Sequence, residues 1–207
     1  MIQFYAYAED APSQAVLQKI IHSFNNQETT IFCFREGFPK IMNGFSKIKE
    51  RLPACIEIGK NGLYSISLTD LDKEYCCPPS LIRNWLSIED GKPIELPEKT
   101  LFRVAVREIE SWIMADRKKF AKYFDLTESL LPTIPDKIRD PKKEFFSLLR
   151  KKERQKFRRM LPGKNSFIGP EYNDIMCDFI ERHWLPTRAE NNSPSLKRMM
   201  SRLRAIT

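Results

Sequence analysis

Three of the four segments with strand character end in acids: Glu9-Asp10, Asp70-x-Asp72 and Arg107-Glu108-x-Glu110. In open α/β sheets ligands gather beyond the carboxyl ends of the strands, where loops vary without disturbing the core, so these acids are candidates for one shared site. Carboxylates brought together repel and raise one another's pKa, and a cation makes the arrangement favourable. Mg²⁺ (or Mn²⁺) is the natural guest, because it takes hard oxygen ligands and bridges protein carboxylates to substrate phosphates. In Asp70-x-Asp72 an extended backbone sets both side chains on one side, which suits pinching one ion or two neighbouring ones. Each acid also has a plainer role. Glu9, Asp10, Glu108 and Glu110 precede helical segments and favour their positive ends, and acids after strands commonly form turns.

Strand, helix and loop signals must place these acids. Ile2 to Ala8 is the first strand, with apolar residues at close to alternate positions, and a helix capped by Ser13 follows, carrying Val16, Leu17, Ile20, Ile21 and Phe24 at helical spacing. Thr29 to Phe34 is a short β-rich run, and Gly37, Pro39 and Gly44 mark a loop before a short basic helix from Ser46 to Leu52. A Gly59-Lys60-Asn61-Gly62 turn precedes the strand Leu63 to Thr69. Pro78-Pro79-Ser80 opens a helix through Trp85 and Leu86, Phe102 to Val106 is the fourth strand, and Ile109, Trp112 and Ile113 share one face of the next helix. Four strands separated by helices predict an α/β, Rossmann-like layer with a partly parallel sheet over residues 1–125. Residues 126–207 read as a helical, Lys/Arg-rich extension packing on it, with helices around Phe145 to Leu161, Tyr172 to Arg182 and, after the Ser193-Pro194 start signal, to Arg204.

Of the 207 residues, 35 are Lys or Arg and 27 Asp or Glu, for a net charge of +8. Between 137 and 164 twelve basic residues face three acids, so a basic block sits on a nearly neutral body, which suggests a surface for a polyanion. Lys142, Lys143, Arg150, Lys151, Lys152, Arg154, Arg158 and Arg159 are the candidate nucleic-acid contacts. Phe145, Phe146, Leu148, Leu149 and Phe157 punctuate them, so one face packs while a cationic face contacts phosphates without reading bases. The competing reading is an ordinary solvated helix or a face for an acidic protein. The second basic helix, around Leu196, Met199 and Leu203, has an apolar stripe suited to packing on the body.

The segments AEDAPSQAVLQKII (8–21), DLD (70–72), REIESWIMAD (107–116), DPKK (140–143), IGPEYNDIMCDFIERHW (168–184) and SPSLKRMMSRL (193–203) resemble domain-of-unknown-function family 4276, a Toprim-like group. In architecture, a strand ending in Glu followed by one ending in Asp-x-Asp is similar to the Toprim fold of topoisomerases, primases and overcoming-lysogenization-defect nucleases. The resemblance implies a divalent-metal phosphoryl-transfer centre with Glu9, Asp70 and Asp72 as core ligands and Glu108 as the fourth acid, Glu110 being its competitor. It also implies a prokaryotic defence setting beside an ABC-type or SMC-like ATPase chain. Many nuclease relatives carry a second acid four residues after the first Glu. Here that position is Ser13, which leaves one metal or two open. Lys60, Lys73 or Arg107 would add positive charge to the pentavalent state, with Arg107 first because it adjoins the acids, and a salt bridge to Glu110 as its plainer role.

Other chemistries find little support. Five Cys lack a Cys-x-x-Cys and His22 and His183 stand far apart, which argues against zinc and for free thiols in a cytoplasmic setting, although Cys76-Cys77 are adjacent. The start of the chain lacks a basic signal region, and no apolar run approaches the ~20 residues of a membrane span. Trp85, Trp112 and Trp184 sit among apolar neighbours, as core residues do. No Walker-type glycine loop is present. The expectation is therefore an Mg²⁺-dependent nuclease on DNA or RNA. Its alternatives are a non-catalytic module binding nucleic acid or an ATPase, and a small-molecule phosphatase.

Overall fold

Phe4, Ala6 and Ala8 belong to one hydrophobic cluster and Tyr7 to another, with Tyr5 packed against the second, as alternation along a strand buried on both faces requires. The computed structural model describes residues 1–25, 30–71, 73, 75–87, 94–150 and 155–206. In it this strand, β1 (Ile2–Ala8), lies inside a five-stranded sheet. On one side come β4 (Tyr64–Asp70) and then β5 (Thr100–Ala105); on the other lie β2 (Phe32–Phe34) and the two-residue β3 (Lys40–Ile41). Each of these pairings is parallel, with Ala8 opposite Leu68 and Asp70 opposite Ala105.

Helices cover both faces. Between the strands run α1 (Ala11–Asn25), α2 (Phe45–Lys60) and α3 (Pro78–Trp85); after β5 come α4 (Ile109–Met114), α5 (Arg117–Tyr123), α6 (Pro141–Arg150), α7 (Tyr172–Arg182), α8 (Pro186–Ala189) and α9 (Pro194–Arg204). Ile48, Leu52, Leu81 and Trp85 of α2 and α3 pack with Tyr7, Phe102 and Val104 on one face. On the other, α1, α4, α6, α7 and α9 bury Leu17, Trp112, Phe145, Phe179 and Met199 with Phe4, Ile66 and Leu101. The helices beyond residue 126 thus share a core with the sheet. Trp112 Nε1 donates to Ser195 Oγ at 2.6 Å and Trp184 Nε1 to the Trp112 carbonyl at 3.1 Å, which satisfies both buried indoles as a dry site requires. Among the described residues no helix is long and apolar enough to cross a membrane.

Four expectations are corrected. The cap of α1 is Asp10, whose carboxylate accepts the Ser13 N–H at 2.9 Å; Ser13 itself is buried in the first turn. α2 runs past Leu52 through Pro53 to Lys60, because burying Ile48, Leu52 and Ile56 contributes about 1.5–3 kcal/mol each and outweighs the ~3 kcal/mol a proline costs a helix interior. It lies so close to β5 that a Cβ on Gly59 would stand 2.0 Å from Thr100 Oγ1. The expected loop after Phe34 contains β3, too short for an alternation signal. The expected helix Phe145 to Leu161 starts four residues earlier, at Pro141, and is described as far as Arg150; residues 151–154 lie outside the described residues, and Gln155–Met160 is a 3₁₀ segment. Asp140 caps α6 by accepting the Lys143 N–H at 3.1 Å, with proline at the first helical position.

Candidate functional site

Because the strands run parallel, the residues that follow β1, β4 and β5 emerge along one edge of the sheet. Glu9, Asp70 and Glu108 line one cleft there, of about 210 Å³, together with Lys73, Arg107, Arg139 and Lys142. The Glu9 carboxylate accepts from Thr69 Oγ1 at 3.0 Å and from the Asp70 N–H at 3.3 Å, tying the end of β1 to that of β4. Behind it the chain turns sharply: the N–H of Gly44, at φ 128°, a conformation costly for any side chain, donates to the Glu9 carbonyl at 3.3 Å.

Burial raises the pKa of Glu9 despite these two hydrogen bonds, with the charge of Asp10 adding to the effect. Asp70 is pushed well above the usual carboxylate range, first by burial and then by the charges of Glu110, Glu9 and Asp10. Its Oδ1 is buried and has no hydrogen-bond partner among the described residues. Glu108 occupies the cap position of α4 without capping it; its carboxylate instead accepts the Lys142 N–H at 2.9 Å. Burial and the neighbouring Glu110 raise its pKa to about 7.

Glu110 is fully buried. It accepts the hydroxyl of Tyr172 and lies 3.1 Å from Lys142 Nζ, while its Oε2 has no hydrogen-bond partner among the described residues. Burial and Glu110 hold the Tyr172 hydroxyl protonated. Lys142, expected on a cationic outer face, instead turns into the acids. Burial opposes its charge, yet Glu110, Asp70 and Glu108 raise its pKa. The reason is its place in the second position of α6, which the Asp140-Pro141 start aims at the sheet edge. That dipeptide was the signal for an earlier helix start; nothing local in the sequence marks Tyr172 as the neighbour of Glu110.

Asp72 lies outside the described residues, as do Lys151, Lys152 and Arg154. Arg107 does not pair with Glu110. Its guanidinium donates to the carbonyls of Tyr75 at 2.8 Å and Cys76 at 3.3 Å, which fixes it at the cleft. Lys73 pairs with Asp140 at 2.8 Å and also lines the cleft. Lys60, held by Glu57 at 2.7 Å, stands before β4 begins, at the opposite edge and about 20 Å from Asp70 by strand rise, so it has no part in this site.

Two further clefts adjoin the first and share Lys73 with it. One, of about 400 Å³, is lined by Arg107, Lys137 and Arg139; the other, of about 480 Å³, by Lys143, Arg150 and Phe167, a ring 97 % exposed. Sequence reading missed Arg139 and Phe167. Of the remaining basic candidates, Arg159 pairs with Glu171 at 2.7 Å and Arg158 is exposed. The five Cys are free, the Cys76 and Cys77 sulfurs standing 3.6 Å apart.

No family model, curated protein or solved structure matches this chain. Among the described residues no three or more His, Cys, Asp or Glu side chains are grouped to hold a metal ion.

Proposed function

We propose that the chain is a Toprim-like, divalent-metal-dependent phosphodiesterase acting on nucleic acid. The observation that carries this reading is the cleft in which Glu9, Asp70 and Glu108, drawn from three strand ends, meet Lys73, Arg107 and Arg139. Acids and cations side by side suit a phosphodiester, whose attack is assisted by a cation held by carboxylates and whose developing charge is stabilised by basic neighbours.

A divalent ion fits these residues. Among the described residues Asp70 Oδ1 is buried without a partner next to Glu9, and burial, with Asp10 near Glu9 and Glu110 and Glu9 near Asp70, disfavours both charges by more than Lys142 offsets, which a divalent ion would relieve. Mg²⁺ commonly uses one or two carboxylates and completes its shell with water and phosphate oxygens, so Glu9 and Asp70 suffice as its anchor, with Asp72 as the expected third. Bound there, Mg²⁺ or Mn²⁺ supplies charge neutralisation and a lowered pKa for water. Glu108, titrating at about 7, exchanges a proton with the attacking water or the leaving oxygen near neutral pH. Arg107, held by two carbonyls, and Arg139 stabilise the charge that develops on the phosphorus oxygens. The flanking clefts, with Lys137 on one side and Lys143, Arg150 and Phe167 on the other, give a strand a basic path through the centre. The family resemblance carries a separate ABC-type or SMC-like ATPase chain as the partner.

The test is hydrolysis of labelled DNA and RNA by purified protein with Mg²⁺ or Mn²⁺. Turnover that falls at least ~100-fold in Asp70→Ala while nucleic-acid binding persists is the expected result. Turnover indifferent to Asp70→Ala overturns the proposal. One observation favours the second reading, a non-catalytic module: Lys142 already supplies a positive charge to the acids. That reading predicts no turnover in the wild type and no thermal shift on adding Mg²⁺.

A further inference from the structure

Among the described residues β5 closes the sheet, and one of its edges has no strand beside it. Toward β4, the Ser65 N–H donates to the Lys99 carbonyl and the Leu71 N–H to the Ala105 carbonyl. In a parallel ladder residues 99, 101, 103 and 105 therefore bond to β4, and Phe102 and Val104 turn their main-chain groups to the free side. Next along that side the Val106 N–H reaches Ser195 Oγ at 3.4 Å, and the Phe102 carbonyl accepts from the Arg103 guanidinium at 3.4 Å. Among the described residues nothing answers the N–H groups of Phe102 and Val104 or the carbonyl of Val104.

A groove of about 490 Å³ runs along this edge and shares no residue with the acidic cleft. Its two walls differ in chemistry. On the side of the core under α2 and α3, where Phe102 and Val104 point, the N-terminal part of α3 presents Pro78, Pro79 and Ile82. On the opposite side α9 presents Arg198, and Arg103 alternates to that side between Leu101 and Ala105. Arg103 Nε is buried without a hydrogen-bond partner among the described residues, and burial together with nearby Arg202 lowers its pKa. No described carboxylate forms an ion pair with Arg103, Arg198 or Arg202.

We propose that this edge docks an extended segment of another protein chain, alternately acidic and apolar, which adds as a strand beside β5. The alternation follows from the pleat: side chains on the α9 side meet Arg103 and Arg198, and those on the α3 side meet prolines and Ile82. Main-chain bonds to Phe102 and Val104 fix its register. A second copy of this chain is the wrong occupant, because pairing β5 with β5 sets Arg103 and Arg198 against their own counterparts. The inference stands whether or not the acidic cleft is hydrolytic.

Fluorescence polarisation of the full chain with a labelled peptide alternating Glu and Val tests it. Binding is expected to weaken about tenfold or more when Lys replaces Glu in the peptide, and likewise in Arg198→Glu, whose exposed site leaves the fold unchanged by circular dichroism. N-methylating the peptide on the edge facing β5 abolishes binding, and N-methylating the other edge does not. Equal binding of the Lys peptide, an Arg198→Glu variant that binds as wild type does, or indifference to the methylated edge overturns the proposal. So does a wild-type dimer in light scattering that the peptide dissociates, since the edge would then serve self-association.

Discussion

Lys142 Nζ lies 3.1 Å from the fully buried Oε1 of Glu110, and the main-chain N–H of the same lysine donates to Glu108 at 2.9 Å. One residue at the start of α6 thus serves both acids that follow β5. It couples the helical part of the chain to the sheet edge, and it explains how the acids persist before any other cation is present.

Removing that lysine leaves buried carboxylates uncompensated. Lys142→Met is expected to destabilise the protein by about 3–5 kcal/mol in urea titrations, the range for breaking a buried pair on one side. Glu110→Gln added to it recovers a substantial part, because the remaining group is then neutral. A double variant no more stable than Lys142→Met would show that the loss came from packing.

Glu108 sets a pH dependence with a definite sign. Its pKa is about 7 folded and near the ordinary 4.5 unfolded. Between those values the folded state holds the proton that the unfolded state has released, so stability falls as pH rises through this window and levels off above it. Asp70, also raised, acts in the same direction. Thermal melting of metal-free protein is expected at a lower temperature at pH 8 than at pH 5, with the slope reduced in Glu108→Gln. Added Mg²⁺ raises the melting temperature most at pH 8.

Asp70→Asn separates stability from activity. The amide keeps the shape and removes a charge whose Oδ1 is buried without a partner. Metal-free Asp70→Asn is expected to gain about 1–2 kcal/mol by denaturant unfolding while losing hydrolysis, the exchange expected of a site built for function. A variant that is both less stable and fully active would contradict the assignment.

Phe167 and Arg150 line the same basic cleft. Phe167→Ala is expected to weaken single-stranded nucleic-acid binding by about 1–3 kcal/mol, as for loss of one stacking platform. Arg150→Glu weakens binding to every sequence and flattens its salt dependence, whereas Lys60→Glu, at the far edge, changes neither. Filter binding across a salt series reads all three.

Local pattern made much of the scaffold legible. Alternation gave the course of β1, β4 and β5, and the apolar spacing and Ser193-Pro194 start gave α7 and α9 close to their observed limits. Where the sequence reading stopped short, a distant contact decided. Pro53 reads as a helix stop until Ile48, Leu52 and Ile56 have a sheet to cover. β3 exists only because Tyr7 and Ala8 offer it main-chain partners.

The site divides in the same way. That acids follow three strands is a property of the sequence, and a parallel sheet necessarily gathers them on one edge; Glu9, Asp70 and one acid after β5 follow from that rule alone. Whether Glu108 or Glu110 faced the cleft, whether Lys142 pointed to solvent or to carboxylates, and whether Lys60 or Arg107 stood nearby depended on contacts across many residues. Tyr172 claims Glu110 from 62 positions away, and carbonyls some thirty positions earlier hold Arg107. Periodicity records which face of an element is apolar. The pairing of buried charges is set only when the packed chain excludes water and each ion must find its counterpart.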